Sequence, residues 1–179
     1  MKKHLILISF SIIAFLFQIE RSNAQIGVGG QLGLFNPLGD NSGDAHFGFN
    51  LNGKYDLDDQ MRVGLNIGHY FKRETTTFFG TTYTMTTSFT PITALFEYSF
   101  LEGEFDPYGG VDLGLYRAGV KVNNNSNSSG HFGLAPTAGM RYELSSALLL
   151  DGGIKYHLIF NEGNTTSALG INFGVLYYL

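Results

Sequence analysis

Across most of this 179-residue chain the apolar residues recur at every second position, and that period constrains the fold more than any other feature. The carboxyl-terminal stretch Leu169–Leu179 shows it most plainly. Leu169, Ile171, Phe173, Val175, Tyr177 and Leu179 are large and apolar, whereas Gly170, Asn172 and Gly174 between them are small or polar. A period of two is a β-strand, and about 9–11 residues are what a tilted strand needs to cross a bilayer. An unpaired edge of this kind is costly in water and prohibitive in lipid, so similar strands must flank it.

Seven further segments carry the same pattern. Ile26, Val28, Leu32 and Leu34 form the apolar face of the first, and Phe47, Phe49, Leu51 and Tyr55 that of the second. Val63 to Phe71, Ile92 to Phe100, Val111 to Leu115, Phe132 to Tyr142 and Leu148 to Phe160 supply the rest. The connections alternate as well. Asp56–Gln60, Leu101–Glu104 and Leu144–Ser146 are tight, whereas Asn36–Ala45, Arg73–Thr90, Asn123–Gly130 and Asn161–Ser167 are longer and polar. Long and short connections in strict alternation put all long loops at one end of an up-and-down barrel. The expected fold is therefore all-β, an eight-stranded antiparallel up-and-down transmembrane barrel in one domain over residues 25–179.

Residues 1–24 read as a signal peptide. Lys2 and Lys3 precede an apolar core from Leu5 to Phe17, and Ser22-Asn23-Ala24 offers small residues for cleavage after Ala24. Those 13 apolar residues fall short of the roughly 20 that a transmembrane helix requires. Without Lys2, Lys3, Arg21 and Glu20 the chain keeps 8 bases and 14 acids, a net charge of −6, with no basic stripe for nucleic acid. The chain has no cysteine, which excludes disulfides, thiol catalysis and thiolate metal sites.

Composition also sets the two faces. The small-residue face is rich in Gly and Asn with one or two charges per strand, which suits the narrow lumen of eight strands better than a water-facing surface. The apolar face has no charge across its middle, as lipid demands. Tyr55, Tyr98, Phe100, Tyr142 and Tyr177 at the short-turn ends, and Phe47, Phe71, Phe132 and Phe160 at the long-loop ends, form two aromatic girdles. The opposite assignment, a secreted lipocalin-like barrel with a hydrophobic ligand inside, is the competing reading.

These features resemble the small outer-membrane β-barrels of Gram-negative bacteria, the OmpA/OmpX/OmpW-like, porin-family group. Pro107-Tyr108-Gly109-Gly110-Val111-Asp112-Leu113-Gly114-Leu115 is similar to the Pro-Tyr-x-Gly-x-Gly-x-Gly strand common there, with Asp112 in place of one glycine. The resemblance implies insertion by the outer-membrane assembly machinery. It makes Phe173, Val175, Tyr177 and Leu179 the assembly-signal strand, with Leu179 where such chains usually end in an aromatic residue.

The inward face carries Lys54, Arg62, Glu97, Asp112, Arg141, Glu143, Asp151, Lys155 and His157. Four acids against four fixed bases and one histidine is the balance of a filled, structural interior; the rival reading is a polar conduit or gate. No cofactor or metal is expected: Asp40-Asn41-Ser42-Gly43-Asp44 lacks the order of a calcium loop. No enzyme is expected either, since His69, alone among histidines on the apolar face, has no nucleophile and acid beside it in sequence. Thr75–Thr90 reads as a projecting hairpin whose edge could pair with an extracellular partner, or as a loop stiffened by β-branched residues, and Asn123–Gly130 reads as a mobile loop. The expected role is structural or interactive, in a monomer surrounded by outer-membrane lipid. The alternative is a narrow OmpW-like channel for small polar or amphipathic solutes.

Overall fold

A computed structural model describes residues 26–39, 44–79, 81–101, 103–123, 125–161 and 163–179. The expected signal peptide lies outside the described residues. Eight strands follow in order: β1 (Ile26–Leu38), β2 (His46–Asp56), β3 (Met61–Phe78), β4 (Thr81–Ser99), β5 (Phe105–Val122), β6 (Asn125–Ser145), β7 (Leu148–Asn161) and β8 (Asn164–Tyr178). Each pairs antiparallel with the next, and β8 returns to β1 from Gly27↔Tyr178 to Leu38↔Ser167, which closes the barrel. The expected fold class is the observed one.

Closure satisfies every strand edge within the barrel, and the pleat then sorts the side chains. Leu65, Leu115 and Phe173 point outward and are 67%, 60% and 61% exposed, while Gln31, Asn50, Lys54 and Arg141 are buried inside. A lipocalin-like barrel would show the reverse, so the apolar face looks out. The girdles are laterally paired, Phe47 with Phe71 and Phe132 with Phe160 at one end. At the other end Phe105 and Tyr142 lie 4.8 Å apart between ring centres. From Phe47 to Tyr55 a strand tilted by about 45° climbs roughly 19 Å, about three-quarters of the ~25 Å apolar band of membrane barrels, and the ring side chains at each end extend it.

The barrel interior is tight enough to dictate glycine. A Cβ at Gly48 would run into the His69 carbonyl oxygen and come within 2.6 Å of the Tyr70 Cα across the β2–β3 pair. Gly53, further along the same strand on the outer face, has nothing within 4 Å of that position.

Three of the four connections expected to be long are tight hairpins on lengthened strands. β3 and β4 stay paired to Phe78↔Thr81, β5 and β6 to Val122↔Asn125, and β7 and β8 to Asn161↔Asn164. Thr, Ser and Asn satisfy a ladder as well as Leu does where no lipid has to be faced, so polarity marked the end of the membrane and not the end of the strands. The projecting hairpin expected at Thr75–Thr90 is present, whereas Asn123–Gly130 is a strand turn and the start of β6. Phe79, Asn123 and Gly163 at the tips adopt positive φ (47°, 51° and 78°), as short hairpin turns require.

Candidate functional site in the barrel interior and its crown

The lumen is filled in three layers. Nearest the short turns lies a charged belt. Arg141, fully buried, reaches Glu97 Oε2 at 2.6 Å and Asp106 Oδ2 at 2.9 Å, donates to Ser99 Oγ at 3.2 Å, and lies 4.2 Å from the Tyr108 ring centre. Lys54 Nζ bridges Glu97 and Asp151, each at 2.9 Å, and Asp151 also accepts from the Tyr108 hydroxyl at 2.8 Å. Arg62 joins Asp56 at 2.9 Å and Asp106 at 3.1 Å, and its Nε donates to the Tyr178 hydroxyl at 3.1 Å. Charge inside a low-dielectric wall is tolerable only when paired in this way.

Above the belt, Lys155 Nζ meets Asp112 Oδ2 at 2.7 Å, with Thr93 donating to the same carboxylate at 3.1 Å. On the other wall Asn50, Tyr70 and Asn172 form a closed triangle of hydrogen bonds of 2.5–2.7 Å. At the loop end a cluster of aromatic rings lies inside the bore. Phe35 stacks on Phe89 at 4.8 Å and packs against Tyr70 at 5.5 Å and His157 at 5.0 Å. The Tyr116 hydroxyl meets His157 Nδ1 at 3.0 Å.

Eight of the nine inward residues singled out in the sequence therefore line the lumen: Lys54, Arg62, Glu97, Asp112, Arg141, Asp151, Lys155 and His157. Glu143 does not. It is exposed at the turn-side rim, beside a register shift between β6 and β7, where its backbone N–H donates to the Glu104 carbonyl. Asp56 and Asp106 take its place as acids of the belt. Asp106 stands two residues before Tyr108 on the inward side of β5, so extending the alternation back through Pro107 would have revealed it. Phe35 likewise continues the inward parity of Gly27 to Gly33, but its bulk set it apart from the small residues that marked that face.

Beyond the girdle the barrel rises on one side only. β3 runs past Phe71, its last partner in β2, and β6 begins before Phe132, its first partner in β7, so β3–β6 form a four-stranded crown with open edges on both sides. Phe79 at its tip is 93% exposed. Inside the crown Lys72 pairs with Asp44 and Glu74. The ammonium holds the Asp44 carboxyl below its ordinary range, chiefly by direct hydrogen bonding, and the two carboxylates raise Lys72 in turn. His69 faces the lipid side, with its Nδ1 2.9 Å from Thr90 Oγ1. No acid stands on the outward face of any strand among the described residues, so that pair lacks an orienting carboxylate. Among the described residues no group of three or more His, Cys, Asp or Glu side chains is placed to hold a metal ion.

Comparison with solved structures found small outer-membrane barrels. Neisserial surface protein A is 19% identical, with a TM-score of 0.69, covering 86% of this chain and 97% of that one. Ail, the attachment invasion locus protein of Yersinia pestis, in complex with the heparin analogue sucrose octasulfate, is 17% identical with a TM-score of 0.61, covering 87% and 97%. OprG from Pseudomonas aeruginosa is 16% identical with a TM-score of 0.58, covering 87% and 96%. At these identities the likeness shows the fold alone. Comparison with curated protein sequences found no match. A family model described as outer membrane protein beta-barrel domain matches residues 5–178, and the chain belongs to that family.

Proposed function

We propose that this chain is a monomeric, non-conducting barrel of the outer membrane that acts through its crown, as a structural or surface-interaction protein without enzymatic activity. One arrangement supports the reading: the charged belt around Arg141 and the aromatic cluster around Phe35 both lie across the bore. A rigid, filled barrel leaves the projecting β3–β6 sheet, with its open edges and exposed Phe79, as the surface that meets other molecules. Residues 1–24 direct export and are removed after Ala24, and the assembly machinery reads the strand ending Phe173, Val175, Tyr177 and Leu179. The reading is tested by recording from planar bilayers containing the refolded protein. No stepwise openings are expected; discrete openings in the wild type would refute it.

A narrow channel is the second reading. It is favoured by a cavity of about 480 Å³ inside the crown, lined by Leu38, His46, Lys72, Phe89 and Val120, which would admit an amphipathic solute as far as the aromatic cluster.

A further inference from the structure

The crown separates its charges by face, and the outer face has only one sign. Successive rows across β3–β6 follow from the strand register. The last apolar row is Ile67, Ile92, Leu115 and Phe132, at the top of the lipid band. One step higher, His69, Thr90 and Arg117 lie side by side, and two steps above these Arg73, Thr86, Lys121 and Ser126 share a row. The acids of the crown, Glu74 and neighbouring Asp44, sit on the inner side with Lys72. Arg73, Arg117 and Lys121 are thus the fixed charges of the outward face among the described residues, in a chain whose net charge is −4.

Arg117 and Lys121 line a cavity of about 600 Å³ on the outward surface, together with Phe71, Ser88, Asn127 and Ser128 among others. The Arg117 guanidinium is held there by a 3.0 Å hydrogen bond to Ser128 Oγ. Arg73 and Lys121, one strand apart, stand about 10 Å from each other, and Arg117 lies about 13 Å along β5 from Lys121. The floor of the cavity continues into the apolar band through Ile92.

We infer that this outward cavity binds the phosphate of an outer-leaflet lipid headgroup. Its acyl chains lie down the Ile67–Phe132 row and its anionic group sits between Arg117 and Lys121. Charge complementarity and continuity with the lipid band name the occupant: an anion anchored by chains in the adjoining bilayer reaches this height and no other. Hydroxyls of Ser88, Thr90 and Ser128 supply neutral donors around it. The inference depends on the membrane placement of the barrel and not on the lumen being closed.

The test is an NMR titration of the refolded mature protein in maltoside micelles, following Lys121 and the Arg117 side chain. Short-chain phosphatidic acid is one probe and inorganic phosphate the other. Saturable shifts with the lipid phosphate are expected, with none from inorganic phosphate over the same range. Each cation at a membrane surface is worth about fivefold in affinity, so R117Q/K121Q should weaken binding roughly thirtyfold. K72Q removes a cation from the same crown on its inner face and should leave binding unchanged. Equal loss in K72Q, undiminished binding in R117Q/K121Q, or inorganic phosphate matching the lipid would each overturn the inference. Heat-modified gel mobility of each variant confirms that it has folded, and a lipid titration of R117K/K121R, which keeps both charges, should retain most of the affinity.

Discussion

Replacing Arg141 with methionine separates a charged belt that holds the barrel together from one that merely fills space. The belt contains three bases, Lys54, Arg62 and Arg141, against four acids, Asp56, Glu97, Asp106 and Asp151, so one acid is in excess. Removing Arg141 leaves two bases among four carboxylates and forfeits the contact with the Tyr108 ring. Stranding a buried charge costs about 3–5 kcal/mol. Glu97 still has Lys54 at 2.9 Å and Asp106 still has Arg62 at 3.1 Å, which points to the lower end, about 3 kcal/mol. Glu97→Gln acts the other way on the charge. It removes the excess acid while its amide oxygen still accepts from Lys54 and Arg141, so about 1 kcal/mol is expected. Urea unfolding in lipid vesicles, followed by gel mobility and circular dichroism, measures both. The double variant should cost less than the two singles together. If R141M costs under about 1 kcal/mol, or E97Q as much as R141M, the belt does not work by charge pairing and the reasoning fails.

Gly48→Ala should destabilise the barrel by about 1–3 kcal/mol because the new methyl group meets β3 backbone, whereas Gly53→Ala on the open outer face should be neutral or slightly stabilising. The same unfolding assay compares them, and equal effects would contradict the packing described. At the crown, an NMR pH titration should find the Asp44 carboxyl titrating below its ordinary 3.8, with Lys72→Gln returning it to that value. Because the folded value is depressed, any stability from the pair is present above the ordinary carboxylate range and lost as pH falls through the folded value. The pair is exposed and salt-screened, so the loss should be small and should vanish in high salt.

Strand number, order and facing were legible because a period of two leaves no freedom: a one-residue slip would turn Leu65 and Ile67 into the lumen and Asn66 out into lipid. The girdles followed from the same parity. Strand length above the membrane was legible at Thr75–Thr90, where Tyr83, Met85 and Phe89 alternate with polar residues, but not at Ser126–Ser129, which lacks apolar alternation once both faces meet water. The interior was legible by residue type but not by partner. Nothing along the chain links Lys54 to Asp151 or Arg62 to Tyr178; the closed cylinder sets those pairs. Tyr70 and Tyr116 were legible as inward residues by parity, whereas Phe35, which packs with them inside the bore, was not, because bulky apolar rings marked the outer face elsewhere.

The charged belt draws on seven of the eight strands: Lys54 from β2, Arg62 from β3, Glu97 from β4, Asp106 from β5, Arg141 from β6, Asp151 from β7 and Tyr178 from β8. Its bonds span up to 122 residues of sequence, so a single hairpin or half barrel satisfies few of them and leaves the rest facing one another unpaired. Such a belt rewards only the finished cylinder and penalises each partial one, and contacts of this range are slow to form. Once shut, a strand at the β1–β8 seam does not peel away alone, since freeing β8 or β7 strips Arg62 or Lys54 of a partner at the same moment. Such a belt predicts slow, all-or-none closure, and an assembled barrel whose unfolding crosses the same barrier in one step.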